Sequence, residues 1–122
     1  MARMLPAPTR IVAHGNAPKV ILEHVGRVAT GTESVSVAHM RSPPGWAEPG
    51  QRPAFDEYTL VLRGTLRVER EDAAPLDIEA GQAVHAEAGQ WVRYSTPGPE
   101  GAEYVAVCVP GFSPATVRRD AG

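Results

Sequence analysis

A chain of 122 residues is long enough to bury one hydrophobic core without disulfides or structural metals, and we predict a single domain over residues 1–122. The formal net charge of −2, with both signs scattered along the chain, excludes the basic stripe that nucleic-acid-binding proteins use. A single cysteine excludes an internal disulfide and thiolate metal clusters. No apolar run approaches the ~20 residues that span a bilayer, and no signal-peptide pattern is present. We therefore expect a cytoplasmic protein with neither nucleic-acid nor membrane partners.

Short strands joined by turns are the predicted elements along the chain. Twelve prolines and twelve glycines interrupt the sequence, and no useful length of helical periodicity lies between them. In chain order, the predicted strands are residues 10–13, 20–24, 34–40, 55–62, 65–70, 76–78, 83–86, 91–94 and 103–109. We predict a tight hairpin turn at residues 63–64 and longer hairpin loops at residues 71–75 and 96–101. This pattern indicates an antiparallel sandwich or barrel.

Two runs of fixed spacing lie within this strand pattern. The first reads Gly45-x5-Gln51-x-Pro53-x3-Glu57-x6-Gly64. Its intervals match the first sequence motif of the cupin superfamily, which places His at the positions of Gln51 and Pro53 and Glu at the position of Glu57. The match is one of spacing, since only the glycines and the glutamate are of the expected residue type.

The second run reads Gly81-x5-Glu87-x-Gly89-x2-Val92-x3-Thr96. Its intervals match the second cupin motif, in which a His stands at the position of Val92. Over residues 34–110 the chain therefore resembles the cupin superfamily. The resemblance implies an all-β fold, a double-stranded β-helix or jelly-roll barrel, which composition alone does not distinguish from other β-sandwiches.

The resemblance also identifies which metal ligands are missing. In cupins the two His and the Glu of the first motif, with the His of the second, usually hold a divalent metal inside the barrel. The corresponding residues here are Gln51, Pro53, Glu57 and Val92, and a proline and a valine have no ligating side chain. We therefore predict that no metal cofactor is bound. The alternative is an atypical metal site made of Gln51, Glu57 and His85.

Strand alternation predicts which side chains share the barrel interior. If Glu57 points inward, then Thr59 does so too, and Tyr94 shares a face with Val92. On the strand at residues 34–40, two valines at positions 35 and 37 favour the face of His39 as the interior. The predicted small-molecule site contains His39, Gln51, Glu57, Thr59 and Tyr94, with Trp46 and Arg41 near its mouth.

Acid–base chemistry is the leading functional hypothesis for this site. His39 titrates near neutrality, and burial raises the pKa of a carboxyl group such as that of Glu57, so the two are predicted to exchange protons with a bound molecule. This predicts a metal-independent lyase, isomerase or cyclase in which Gln51, Thr59 and Tyr94 orient the ligand. The alternatives are a non-catalytic binding or sensor cupin, a metal-dependent cupin oxygenase or isomerase, and, for His39, a hydrogen-bonded core histidine.

The segments outside the predicted core, residues 34–110, lead to simpler expectations. The N-terminal strands, at residues 10–24, are predicted to form a homodimer contact, and Lys19 among them is expected to be solvated. The C-terminal tail, residues 111–122, is predicted either to lid the barrel or to dock on a neighbouring molecule. A short helix is predicted to begin there at Ser113.

Overall fold

Alternating apolar residues and frequent turn residues produce an all-β chain. Residues 1–121, which a computed structural model describes, form nine strands and no helix. The strands are β1 (Thr9–Ile11), β2 (Val20–Val25), β3 (Ser36–Ser42), β4 (Trp46–Ala47), β5 (Asp56–Arg70), β6 (Ala73–Glu79), β7 (Ala83–Ala86), β8 (Val92–Thr96) and β9 (Ala102–Val109). The predicted all-β class is confirmed. Since this part of the chain has no helix, it contains none that is long and apolar enough to cross a membrane.

The strands curl into a jelly-roll barrel because β5 belongs to both of its layers. Every pairing is antiparallel, and the strand order is β1-β2-β3-β9-β5-β8-β4, with β6 and β7 also paired to β5. The first half of β5 lies between β7 and β9, with Glu57 opposite Ala86 and Cys108. The second half lies between β6 and β8, with Val68 opposite Tyr94 on β8.

Gly64 bends β5 where the sequence predicts a hairpin turn. The prediction of a hairpin turn at residues 63–64 is wrong, since β5 continues from Asp56 to Arg70. Gly64 has a φ of 72°, which non-glycine residues rarely adopt, and a Cβ there would collide with the backbone carbonyl of Gly101. A glycine with positive φ suits a bend and a turn equally. The two cases differ only in whether the flanking segments pair with each other or with other strands.

The barrel is filled by side chains at one end and is hollow at the other. The larger apolar cluster consists of Trp46, Val61, Leu66, Val68, Ile78, Val84, Ala86, Val92, Tyr94, Ala102 and Tyr104. A smaller cluster, made of Phe55, Cys108 and Val117 with Phe112 against it, lies beside the C-terminal tail. The hollow end is lined by members of both clusters and forms the cavity described below.

The C-terminal tail lies across the hollow end and is held there by backbone hydrogen bonds. The amide of Arg52 donates to Arg118 at 3.1 Å, the amide of Ala54 to Thr116 at 2.9 Å, and the amide of Asp120 to Gly50 at 2.8 Å. The tail therefore covers the hollow end as a lid would, and its docking on a neighbouring molecule stays a prediction. The predicted short helix is wrong, because residues 114–116 form one turn and the next residues pair with the segment at 50–54 instead.

Candidate functional site

A cavity of about 440 Å³ occupies the hollow end of the barrel. Its size falls within the range of small-molecule sites. Most of its wall is apolar, and the apolar lining includes Ile11, Ile21, Ala38, Met40, Phe55, Ala106 and Phe112. A few polar side chains converge on this apolar chamber, which is the usual form of a site that recognises an organic molecule.

The strand β5 contributes the central polar groups through simple alternation. Phe55, Glu57 and Thr59 line the cavity, whereas Tyr58 and Leu60 are 46% and 45% exposed on the outer face. Successive side chains of a strand point to opposite faces, so the inward position of Glu57 fixes those of its neighbours. The structure therefore brings Glu57 and Thr59 together in the cavity, on the face that the alternation predicts.

Glu57 is an ionisable group in an apolar chamber, and its pKa is raised to about 7. Burial is the largest cause, and the charge of Glu48 raises the pKa further. Lys19, Arg119 and a hydrogen bond from Tyr94 act in the opposite direction. That bond is long, with Tyr94 Oη 3.4 Å from Glu57 Oε1. Glu57 is therefore poised to change protonation state near neutral pH.

Tyr94 and Gln51 complete the group of predicted residues that the cavity contains. Both are buried, and Gln51 is held by two backbone hydrogen bonds with Val92, at 2.8 and 2.9 Å. Burial and the neighbouring carboxyl of Glu57 raise the pKa of the Tyr94 hydroxyl well above its usual value. Tyr94 therefore stays protonated and acts as a hydrogen-bond donor.

Glu48 is a second cavity carboxyl, which the sequence analysis does not identify. It follows the two-residue strand β4, and its backbone is fixed by Tyr94, whose carbonyl accepts at 3.3 Å, and by Arg93, whose Nε donates at 3.0 Å. Burial raises the pKa of Glu48. Prolines at positions 43, 44 and 49 hide β4 from strand prediction. The one available signal is strand alternation: Glu48 is two residues after Trp46, so the two side chains share a face, and both are buried.

Two cations face these carboxyl groups. Lys19 lines the cavity with its Nζ 4.0 Å from the ring centroid of Trp46 and 5.2 Å from that of Tyr104, so the expectation that it is solvated is wrong. Aromatic faces attract a cation, which explains why this lysine turns inward. Arg119 enters from the C-terminal tail and is also absent from the predicted set.

Glu23 borders the cavity as well, but the fold already uses its carboxylate. Its Oε1 accepts hydrogen bonds from the amides of Val28, at 3.0 Å, and Ala29, at 2.9 Å. This carboxylate therefore organises the loop after β2, and we assign it no chemical role.

The predicted inward position of His39 and Arg41 is wrong. On β3 the cavity is lined by Ser36, Ala38 and Met40, and the other face points outward. His39 Nε2 lies 2.6 Å from Glu103 on β9, an ion pair that Arg41 joins at 3.6 Å. His39 is also the main cause that lowers the pKa of Glu103. The two valines that favoured this face lie on the outside of the barrel. Because His39 is on that outer face and Glu57 lines the cavity, the predicted proton exchange between them is wrong.

Trp46 and His85 also lie elsewhere than expected. Trp46 is 1% exposed within the main core, where its Nε1 donates to the carbonyl of His14 at 3.1 Å. His85 stands on the outer face, stacked on Tyr58 at 4.2 Å between ring centroids and 3.7 Å from Asp56. Neither side chain is part of the cavity wall.

The residues present do not fit the divalent metal that the cupin resemblance implies. Gln51 and Glu57 offer oxygen atoms, but Pro53 and Val92 offer no side-chain ligand, and His85 is outside the barrel. Within residues 1–121, no three His, Cys, Asp or Glu side chains are grouped so that they could hold a metal ion. A site that needs three or four protein ligands is therefore not formed at the predicted positions.

Comparisons with known sequences match more than half of the chain. The family model of the cupin domain matches residues 38–108, more than half of the chain. The endoribonuclease YbeY of Myxococcus xanthus (strain DK1622) is 44% identical over 96 residues, which is 79% of this chain and 32% of that protein. The chain thus spans about a third of the length of that curated relative.

Two solved structures share the same barrel at low sequence identity. The polyketide cyclase RemF from Streptomyces resistomycificus has a TM-score of 0.78 at 13% identity, over 100% of this chain and 87% of that one. Oxalate decarboxylase from Bacillus subtilis has a TM-score of 0.76 at 18% identity, over 98% of this chain and 33% of that one. These likenesses concern the fold alone. Together with a family model that covers more than half of the sequence, they show that the chain belongs to the cupin domain family.

Proposed function

We propose that this cupin binds a small, mostly apolar organic molecule in its barrel and moves a proton on it, with Glu57 as the acid–base group. The observation that carries the proposal is the carboxyl group of Glu57, which has a pKa of about 7 and lies inside an apolar cavity. A general base works best when its pKa lies near the operating pH, because it is then both available and strong enough. Lyase, isomerase and cyclase reactions all include such a step.

The mechanism follows from what surrounds Glu57. Its carboxylate takes a proton from a carbon next to a carbonyl group, and the electrons of the C–H bond form an enolate. The proton then returns to another carbon, which is an isomerisation, or the electrons expel a leaving group or close a ring. Tyr94 donates to Glu57 Oε1 and holds the carboxylate in place. Gln51 and Thr59 line the same cavity and would orient the ligand.

Cyclisation is one member of this reaction class with support from the fold comparison. The structure with a TM-score of 0.78 over the whole chain is that of a polyketide cyclase. At 13% identity, this likeness supports only the suitability of a barrel of this size for such an enzyme. The proposed chemistry rests on Glu57 and its surroundings.

Deuterium exchange into an enolisable probe tests the proposal without knowledge of the substrate. 2-Tetralone fits the size and apolar character of the cavity, and its exchange in D2O is followed by NMR between pH 5 and 9. We expect the protein to accelerate exchange with a midpoint near pH 7, and Glu57→Gln to lose about 10²-fold of the acceleration. Glu87→Gln, a change at an exposed carboxylate, is the matched control and should keep it.

Metal independence is the second part of the proposal, and a chelator tests it separately. Exchange is measured with and without EDTA, together with the metal content of protein purified without chelators. Equal rates support side-chain proton transfer. A rate that disappears with EDTA and returns with one added metal would refute metal independence, even if Glu57 proved essential.

A ligand-binding module is the second candidate function. The chain matches one third of a curated endoribonuclease, which fits a domain that works beside a separate catalytic unit. Binding of 2-tetralone with no acceleration of exchange at any pH would favour this candidate. We expect no RNA cleavage by this chain, because its net charge of −2, with both signs scattered, gives no basic stripe that would hold the phosphates of RNA.

A further inference from the structure

We propose that the cavity contains an anion subsite, centred on Arg119, that selects small organic carboxylates with an apolar, ring-sized body. The inference deepens the proposed function and rests on the same cavity, since it names the class of molecule that Glu57 would act on. It is carried by the buried, unpaired Nε of Arg119, by the anchored backbone of this residue and by the balance of charge around it.

Arg119 has one buried donor, Nε, that meets no acceptor within the part of the chain that the structure describes. Its Nε is fully buried without an acceptor, and no hydrogen bond or ion pair is formed by its side chain within residues 1–121. Arg52, Arg67 and Arg93, in contrast, each pair with a carboxylate at the surface. A guanidinium carries five N–H donors, and buried donors in folded proteins almost always have partners. A bound anion is the partner that this arrangement lacks.

The backbone of Arg119 is anchored beside the cavity. Arg119 pairs with Gln51 in an antiparallel bridge, and hydrogen bonds at 3.1 and 2.8 Å tie down the residues before and after it. Its guanidinium carbon lies 5.8 Å from the ring centroid of Phe112, so an apolar surface adjoins the charge. A carboxylate that binds here therefore meets a cation whose backbone needs no ordering, next to an apolar surface.

The charges of the cavity leave room for an anion. Glu48 and Glu57 face Lys19 and Arg119, yet no ion pair joins these groups within the described part of the chain. The full lining holds three cations and three carboxyl groups, namely Arg10, Lys19 and Arg119 with Glu23, Glu48 and Glu57. Because the pKa of Glu57 is about 7, this carboxyl group is ionised only in part at neutral pH, so the negative charges do not fully balance the positive ones. Arg119 is also the main cause that lowers the pKa of His14, which lines the same cavity.

The shape of the subsite favours a carboxylate with a ring attached. A planar guanidinium binds a carboxylate through two parallel N–H···O bonds, which a neutral amide cannot reproduce. Phe55 and Phe112, in edge-to-face contact at 5.9 Å, provide the apolar wall near Arg119. The carboxylate would bind at Arg119 with its apolar body extending toward Glu57.

Isothermal titration calorimetry with 2-naphthoate and its neutral analogue 2-naphthamide tests the subsite. We expect the wild-type protein to bind the carboxylate at least about tenfold more tightly than the amide. Arg119→Gln should reduce this ratio to about one by weakening 2-naphthoate alone. Arg67→Gln removes an arginine that is paired with Asp77 on the surface and should leave both affinities unchanged.

Several outcomes would overturn the subsite: equal binding of the two probes by the wild type, equal weakening of both by Arg119→Gln, or no binding of either at millimolar concentration. If Arg119→Gln does not fold, Arg119→Lys replaces it. This variant keeps the charge but loses the planar fork, and an unchanged ratio would count against the proposal. If the wild type binds the two probes equally but still accelerates proton exchange, the subsite alone is rejected. If it prefers 2-naphthoate but does not accelerate exchange, the proposed function alone is rejected.

Discussion

Glu57→Gln should make the protein more stable at pH 8 than the wild type and leave its stability nearly unchanged at pH 4.5. The folded-state pKa of Glu57 is raised from 4.5 to about 7. Between these values the folded state keeps a proton that the unfolded state releases, so the free energy of unfolding falls as pH rises. At about 1.4 kcal/mol for each tenfold change, the full loss above pH 7 is about 3 kcal/mol. A neutral glutamine removes this loss.

Urea denaturation of the two proteins at half-unit steps from pH 4.5 to pH 8 measures the effect. For a domain of this size, about 3 kcal/mol corresponds to about 10 °C in Tm, so thermal melts provide a second readout. Glu48 and Tyr94 also have raised pKa values, but they are present in both proteins and largely cancel in the difference. Glu87→Gln, at an exposed position, should show no pH-dependent difference.

A difference between wild type and Glu57→Gln that stays flat from pH 4.5 to pH 8 would refute this reasoning. It would mean that Glu57 titrates with an ordinary pKa, either because water fills the cavity or because the cations pair with it more closely. The acid–base role would then lose its physical basis. A gain that is large but already complete at pH 5 would point to better packing of the glutamine.

Two further predictions concern the neighbours of Glu57. Tyr94→Phe removes a hydrogen bond that lowers the pKa of Glu57, so this pKa should rise by a few tenths. NMR titration of the Glu57 carboxyl carbon measures the change. A fall in the pKa would show that Tyr94 favours the protonated form of Glu57. Cys108 is 5% exposed, and burial and Glu57 raise its pKa, so the native thiol should react with Ellman's reagent at least about 100-fold more slowly than the urea-unfolded chain. Equal rates would mean that the hollow end opens readily.

The sequence predicts most of the strands because they depend on local patterns. Apolar alternation and turn residues locate β2, β3 and β7 to β9 within about two residues of their observed bounds, whereas the strands predicted at 55–62 and 65–70 are the two halves of β5. The spacing motifs then select the jelly-roll barrel. What the sequence does not reveal is whether β5 folds back at Gly64 or continues through it. That choice depends on which strands pair, and pairing is decided by contacts between distant parts of the chain.

The same distinction applies to the site: residues placed by one strand's alternation are predicted, and residues placed by contacts between distant segments are not. Glu57 and Thr59 lie where the alternation of one strand puts them. The face of β3 is reversed because both of its faces carry small or apolar side chains, so the valines beside His39 could not reveal which one is inside. Arg119 reaches the cavity only through the fold of the tail across the barrel. The predicted homodimer and the strands that would form it stay a prediction.

The replacement of cupin metal ligands and the raised pKa of Glu57 are physically linked. A glutamate that coordinates a divalent metal beside histidines has its charge compensated, and it stays ionised. With Pro53 and Val92 at two of the ligand positions, the same carboxyl group keeps its buried place without that compensation. Lys19 and Arg119 offset part of the cost, but neither forms an ion pair with it among the described residues. Under the proposed function, the position that holds a metal ligand in a metal-binding cupin would, in this sequence, hold a proton carrier.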